Sequence, residues 1–402
     1  MKTNNLLLSG FLQGLMQIPI ITGILLNFFS CQNPDSDNQD RLKSNLKFWV
    51  GTYTSQSDQG IHLIELNPKT NDFDSLLLQN GINNPSFVIS NQDQSLLFSV
   101  QESGGDIGGS VCSFHFDGDS LKLHPINSVS TLGSGPCYIS LSPDEKYLLA
   151  ANYRSGDLAV IPVLEDGTLG EALQKFKHKG NSINPNRQEK PHVHSIVFHP
   201  DGKRFLVGDL GTDRIYCYET TMEENSPFKA ATPPYYEVKA GSGPRHLVFN
   251  HTGNKFYLIH ELTAEVGLYS YVEKEDKIEI EHLATYPLAE DDFSGEVSGA
   301  EIKISNDGKY LYASNRGEAN QIIVFEIDQK SGKLNKIQTV SSEGQTPRNF
   351  TLSRDGNYLL VGNQNSNEIV LMDRNRKTGK IQDTKVRFPI HKPVYFYEIE
   401  NK

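Results

Sequence analysis
The sequence predicts an all-β fold: a seven-bladed β-propeller with four antiparallel strands per blade, its last blade closed by both chain ends. Two observations predict it. One segment is written six times, with an incomplete seventh copy, starting at Pro85, Pro136, Val193, Pro244, Gly299, Pro347 and Pro393. The starts lie 51, 57, 51, 55, 48 and 46 residues apart, the period of a four-stranded blade. The apolar residues also come in bursts of four to six within a 37% hydrophobic chain, which favours short strands over long helices.

Each copy opens with an inner strand, such as Arg245 to Phe249. A turn such as His199-Pro200-Asp201-Gly202-Lys203 follows, where Asp and Gly supply tight-turn chemistry. A second apolar strand ends on a polar pair. A third strand comes next, as in Asp213 to Tyr218 or Gln321 to Glu326, and a turn such as Gly332-Lys333-Leu334 or Gly167-Thr168-Leu169 leads to an outer strand. The seventh copy, PVYFYEI, stops where the chain stops, and FWVGTYT near residue 48 supplies its missing second strand. One repeat system therefore makes residues 47–402 a single domain, although the length alone would suggest more. The longest irregular stretches, roughly 175–190 and 286–298, lead straight into inner strands. Long loops in compact folds are often functional.

Residues 1–31 differ from the rest. Met1-Lys2 is followed by a mostly apolar stretch from Leu6 to Phe29, then Ser30-Cys31. This reads as a secretory signal peptide ending in a lipobox-like Phe28-Phe29-Ser30-Cys31, with Cys31 the lipidated residue and 32–46 a polar tether. The protein is then exported and touches a membrane only through a lipid anchor. Phe28 and Phe29 depart from the usual Leu-Ala/Ser pattern, so an uncleaved anchor and a cytosolic protein stay open as alternatives. Cys112, Cys137 and Cys217 fall in different blades and form no disulfide framework. A net charge of -11 without a basic stripe argues against nucleic acid. The expected partner is a small anionic molecule, and the expected state is a monomer.

Strand alternation puts the start of strand one and the end of strand two on one face. The inner column is Ser86, Cys137, His194, Arg245, Ala300, Arg348 and Val394, beside Ser195, His246, Glu301 and Asn349. The strand-two ends are Gln101-Glu102, Asn152-Tyr153, Asp209-Leu210, His260-Glu261, Asn315-Arg316 and Asn363-Gln364. A structural position would repeat one residue type, and these do not. They leave the pattern of one asymmetric site on a repeated scaffold.

Arg245, Arg316 and Arg348 come from successive copies and converge with His194, His246, Glu261 and Glu301. Converging guanidinium groups repel unless an anion visits, and their forks match carboxylate and phosphate. A carboxylate among them is held ionised, and histidine transfers protons near neutral pH. These parts fit water attack on, or ring closure at, an anionic carbonyl compound. The bland alternative is a structural network of arginines with Glu261, Glu301 or Asp209. Asn152, Asn315 and Asn363 have their simplest role in bonding backbone turns, although Asn152 and Asp209 also stand as candidate substrate contacts. His192, His194 and Glu189 form no complete metal set, so no metal is expected. No Gly-x-Ser-x-Gly elbow or phosphate-binding glycine loop occurs.

At these residues the chain resembles the lactonase family of seven-bladed propellers, typified by propeller-type 6-phosphogluconolactonases and including fungal carboxymuconate-lactonizing enzymes. The resemblance is carried by Gly51-Thr52-Tyr53-Thr54, Ala151-Asn152-Tyr153, Arg187 to Ser195, Gly208 to Asp213, Gly243-Pro244-Arg245-His246, His260-Glu261-Leu262, Ala313 to Gly317 and Thr346-Pro347-Arg348. It spans about residues 47–399. It implies catalytic positions at His194, Arg245, Glu261 and Arg316, and the repeat geometry adds His246, Glu301, Arg348, Asn152 and Asp209 as expected substrate contacts. It implies lactone-ring chemistry without metal or organic cofactor. Two departures stand out. An exported protein would meet little phosphorylated metabolite, and His260 replaces an Asn common in the family. The leading expectation is a sugar-lactone hydrolase. A muconate-type cycloisomerase and a non-catalytic binding propeller are the alternatives.

Overall fold
The computed structural model describes residues 44–56, 59–103, 108–275 and 277–400. The leader, Cys31 and most of the proposed tether lie outside the described residues. Among the described residues every regular element is a strand.

The first strands are β1 (Leu46–Thr52), β2 (Gly60–Asn67) and β3 (Asp72–Asn80), followed by β4 (Val88–Ser90), β5 (Leu96–Gln101), β6 (Ser110–Asp117) and β7 (Lys122–Ser130). Next come β8 (Pro136–Leu141), β9 (Tyr147–Asn152), β10 (Asp157–Pro162) and β11 (Gln174–Lys177). The middle of the chain forms β12 (Val193–Phe198), β13 (Arg204–Asp209), β14 (Arg214–Thr220) and β15 (Phe228–Glu237), then β16 (Pro244–Phe249), β17 (Lys255–His260), β18 (Glu265–Lys274) and β19 (Lys277–Pro287). The last are β20 (Val297–Ile304), β21 (Tyr310–Gly317), β22 (Gln321–Ile327) and β23 (Leu334–Ser341), then β24 (Pro347–Leu352), β25 (Tyr358–Asn363), β26 (Glu368–Arg374), β27 (Ile381–Pro389) and β28 (Pro393–Ile399).

These strands form five four-stranded antiparallel sheets and one of eight. In the larger sheet β12–β15 and β16–β19 join through one parallel bridge, Thr232 to Lys277. The sheet that joins the chain ends runs β28-β1-β2-β3. First strands touch in succession, β4 to β8, β12, β16, β20, β24 and β28, and β28 returns to β4. The architecture is a β-propeller.

The turns follow from composition. Gly202, Gly253, Gly308 and Gly356 take positive φ, a conformation glycine adopts without steric cost, while the preceding Asp side chains of two of these turns accept from Lys203 and Lys309 amides. The second strands read as continuous apolar runs because neighbouring sheets cover both faces. Leu206, Val207, Leu258, Ile259, Leu359 and Leu360 are all fully buried. A separate apolar cluster fills each gap between successive units, such as Ile259, Val266 and Leu268 against Ile302, Leu311 and Phe325.

One irregularity recurs and aims the site. Each of the six inner strands from β8 onward gains an extra residue near its start. Cys137, His194, Arg348 and Val394 lie opposite no partner, and the same slip falls within Arg245-His246 and Ala300-Glu301. A bulge breaks the strict two-residue alternation and turns a side chain away from the sheet faces. The bulged residues crowd a narrow axial space lined by Cys137, His194, Arg245, Arg348 and Val394.

Closure by both chain ends has a measurable consequence. Phe396 of β28 is 1% exposed and packs with Phe48, Val50 and Leu360. Phe396→Ala is expected to destabilise the protein by about 3–5 kcal/mol, read as a lower urea midpoint. Leu132→Ala, at a side chain 52% exposed, should change it by less than about 0.5 kcal/mol. Equal effects would contradict a core sealed at β28.

Candidate active site
A cavity of about 370 Å³ opens at one mouth of the propeller. It is lined by Tyr53, Glu102, Cys137, Tyr153, Arg154, Arg187, His194, Glu261, Ser298, Arg316 and Arg348. Four arginines face two glutamates there, a cationic pocket in a chain whose net charge is -11. Such a cleft concentrates anions.

Glu261 is the hub. It follows β17, and its amide donates to the Gly243 carbonyl at 2.7 Å. Its Oε2 accepts from Arg245 Nε at 2.9 Å and lies 3.0 Å from Arg316 Nη2, while Oε1 pairs with Arg187. Burial alone would raise the Glu261 carboxyl. The charges of Arg316, Arg245 and Arg187 outweigh it and hold the group well below the usual carboxylate range. Glu261 therefore stays ionised and is a weak base.

The arginines differ in how much of their donor capacity is free. Arg245 is 2% exposed and sits beneath the cavity, bonded to Glu261 and to the Ala300 carbonyl. Arg316 Nη2 reaches Ser298 Oγ at 2.8 Å and the Gly299 carbonyl at 3.0 Å. Its buried Nε has no hydrogen-bond partner among the described residues. Burial, with repulsion from Arg245 and Arg348 against the pull of Glu261, lowers Arg316 to about 10, which leaves it charged at neutral pH. Arg348 lies over the Tyr53 ring at 5.2 Å and meets no hydrogen-bond acceptor among the described residues.

His194 lines the same wall. Its Nε2 is 3.9 Å from Glu261 Oε2, and its ring meets Tyr153 and His246 edge-on. Burial lowers it well below 6.5, and Arg245 and His246 lower it further against the pull of Glu261. It is a neutral imidazole at neutral pH, able to accept a proton. Cys137 Sγ lies 3.9 Å from His194 Nδ1, and burial raises its thiol far from ionisation.

The structure brings His194, Glu261, Arg316 and Arg348 to one cavity and sets other expected residues apart from it. His246 and Glu301 lie below the cavity, bonded to each other at 3.3 Å, with Asn349 also donating to Glu301. The Asn152 side chain donates to the Thr131 carbonyl and Asp157 instead of lining the cavity. Asp209 Oδ1 gathers the amides of His192, Gly211 and Thr212, and its Oδ2 meets His178 at 2.7 Å. One pattern covers both placements. In four of the six pairs ending a second strand the second member faces the cavity, as Glu102, Tyr153, Glu261 and Arg316 do, while first members such as Asn152, Asp209 and Asn363 bond the backbone of a turn.

Arg187 has no counterpart in the repeat columns. It comes from the irregular segment before β12 and also donates to Tyr153 Oη at 3.2 Å. The length of that segment was its signal. Among the described residues, the group best arranged for a metal is His199, Asp201 and Glu273, outside this cavity, and Arg204 pairs with Glu273 there.

Residues 47–397 match the family model described as lactonase, 7-bladed β-propeller. The chain belongs to this lactonase family. A 6-phosphogluconolactonase of Bacillus subtilis is 31% identical over 334 residues, covering 83% of this chain and 92% of that one. One from Formosa agariphila is 33% identical over 336 residues, covering 83% and 94%. The solved periplasmic gluconolactonase of Pseudomonas aeruginosa superposes with a TM-score of 0.84 at 35% identity, covering 89% and 99%.

This lactonase-family propeller buries several neutral imidazoles. Burial, with repulsion from Arg245, puts His246 at about 4, and burial puts His260 at about 3. The unfolded chain protonates these groups near 6.5, and the folded chain does not. Their contribution to stability is thus complete above about pH 6.5 and shrinks as pH falls, by up to about 1.4 kcal/mol per pH unit for each group. Urea unfolding from pH 7 to 4.5 should show that decline, and His260→Asn should make it shallower. The same slope in that variant would contradict a neutral buried His260.

Proposed function
We propose that this chain hydrolyses a sugar lactone at the arginine-lined cavity. The observation that carries the reading is a neutral His194 beside Arg348, a guanidinium on the cavity wall that meets no acceptor among the described residues. The relatives named 6-phosphogluconolactonase and gluconolactonase supply the substrate class. The scaffold reads as seven blades, with the eight-stranded sheet counted as two joined at their outer edges by one bridge.

Arg316 and Arg348 receive the lactone carbonyl, and His194 takes a proton from water as the water oxygen bonds to the carbonyl carbon. The oxyanion that forms is stabilised by guanidinium charge in a site sheltered from solvent. The imidazolium is stabilised by Glu261. When the tetrahedral centre collapses, the bond from carbonyl carbon to ring oxygen breaks. His194 returns its proton to the departing alkoxide, and a hydroxy acid leaves. Arg245 does not meet substrate in this scheme. It positions Glu261, which in turn positions Arg316 and Arg187.

The apolar leader ending at Cys31 supports export and lipid tethering, and a periplasmic relative accords with export.

Turnover of glucono-δ-lactone and 6-phosphogluconolactone, with spontaneous hydrolysis subtracted, tests the scheme. Arg316→Ala is expected to lower kcat/KM by about 10²–10³-fold, and His194→Ala by about 10²–10⁴-fold, with unfolding midpoints showing that each variant folds. Activity unchanged in either variant would remove that residue from the chemistry. Binding of gluconate by the wild type without any turnover would mark a binding propeller instead.

The pH profile is a second test. Because His194 is neutral well below 6.5, kcat/KM should hold its plateau down through pH 6.5 and not fall with a midpoint there. A wild-type inflection near 6.5 that disappears in His194→Ala would contradict the environment assigned to this imidazole.

A further inference from the structure
Four arginines line the cavity, and three of them are accounted for by the chemistry above. Arg187 and Arg316 pair with Glu261, and Arg348 lies over Tyr53. Arg154 is the fourth. It is exposed on the cavity wall, and its guanidinium meets no carboxylate among the described residues.

Its seat is built. Gly135 has φ +64, and a Cβ there would lie 2.6 Å from Arg154 Cγ and 3.0 Å from Cδ. Glycine, which the positive φ at this position favours, lets the arginine stem lie close to the backbone. The segment is clamped on both sides. The Tyr153 amide donates to the Gly135 carbonyl at 2.9 Å and the Arg154 amide to the Ser134 carbonyl at 3.0 Å. Ser134 N donates to Ser155 Oγ at 2.9 Å, and Gly135 N to the Ser103 carbonyl at 2.8 Å. The preceding residue, Tyr153, reaches the Arg187 guanidinium and touches His194 edge-on. Arg154 is thus tied through the backbone to the reacting wall while it stands toward solvent.

We infer that Arg154 is a specificity residue: it binds a second anionic group, a phosphate monoester, at the end of the substrate remote from the lactone carbonyl. The inference rests on the lactonase reading and adds to it the group that separates a phosphorylated lactone from a neutral one. A guanidinium fork fits a phosphate with two parallel hydrogen bonds. Because Arg154 is exposed, the attraction is screened, and the preference should weaken as salt rises.

The test uses the full-length protein with Arg154→Gln and Arg154→Lys, each checked for an unchanged unfolding midpoint. Two readouts are compared. One is the ratio of kcat/KM for 6-phosphogluconolactone over glucono-δ-lactone. The other is calorimetric binding of 6-phosphogluconate against gluconate. Arg154→Gln should lower both ratios by about tenfold, and Arg154→Lys should restore part of the loss. Ratios unchanged in Arg154→Gln, or a loss shared equally by both substrates, would overturn the inference. A wild type that turns over neither lactone but prefers 6-phosphogluconate through Arg154 would defeat the lactonase reading and leave this assignment standing. A wild type that binds the two acids equally would overturn it.

Discussion
Three guanidinium groups share one buried carboxylate, and the mouth of the propeller is organised around that fact. Arg187, Arg245 and Arg316 all reach Glu261. Unit charges about 4 Å apart interact by about 4 kcal/mol where water is partly excluded, so these cations would push one another outward without a shared anion. Glu261 converts that repulsion into a rigid cluster and still leaves the cavity with surplus positive charge. Removing the carboxylate would strand buried charges, which is generally far costlier than never burying them. The neutrality of His194 has the same source, since nearby guanidinium charge adds to the effect of burial. One carboxylate therefore places the arginines, and one of them, Arg245, adds to burial in keeping the candidate base neutral.

The repeated scaffold accommodates this unequal cluster through the inner-strand bulge. A strand that kept its alternation would give its side chains to the clusters between sheets. The extra residue at the start of the six inner strands from β8 onward frees one side chain in each of those units for the axis. Because that residue faces the axis and lies outside the apolar clusters between sheets, its identity can vary from unit to unit without loss of core. Cysteine, histidine, arginine and valine all occupy it, at Cys137, His194, Arg348 and Val394. The fold repeats in its turns and apolar runs, and the chemistry is written in positions the core does not constrain.

The same distinction explains what could be read from the sequence. The repeat, the turn glycines and the closing of the last sheet by both chain ends were visible, because they follow from periodicity and turn chemistry. His194, Glu261, Arg316 and Arg348 were visible as irregular positions in a regular pattern. Asn152 and Asp209 fell in the same columns, but which member of a polar pair faces the cavity depends on how the strand leaves the sheet, and pattern alone does not carry that. Arg245 and Arg348 looked equivalent as successive inner residues. Only packing separates Arg245, enclosed beneath Glu261, from Arg348 with its donors free. Arg187 and Arg154 lie outside the repeated strands, one on a long irregular segment and the other just past a strand end, where no column predicts a neighbour.

The central claim is that the cavity beside Glu261 is where the carbonyl reacts, with Arg316 and Arg348 around it and His194 at hand. The most direct measurement is a crystal structure of the full-length protein soaked with gluconate, the hydrolysis product. The account predicts the product carboxylate between Arg316 and Arg348, within hydrogen-bond distance of both, with the His194 ring facing it. A carboxylate bound away from both arginines, for instance in the groove lined by Lys47, His115 and Asp117, would contradict it.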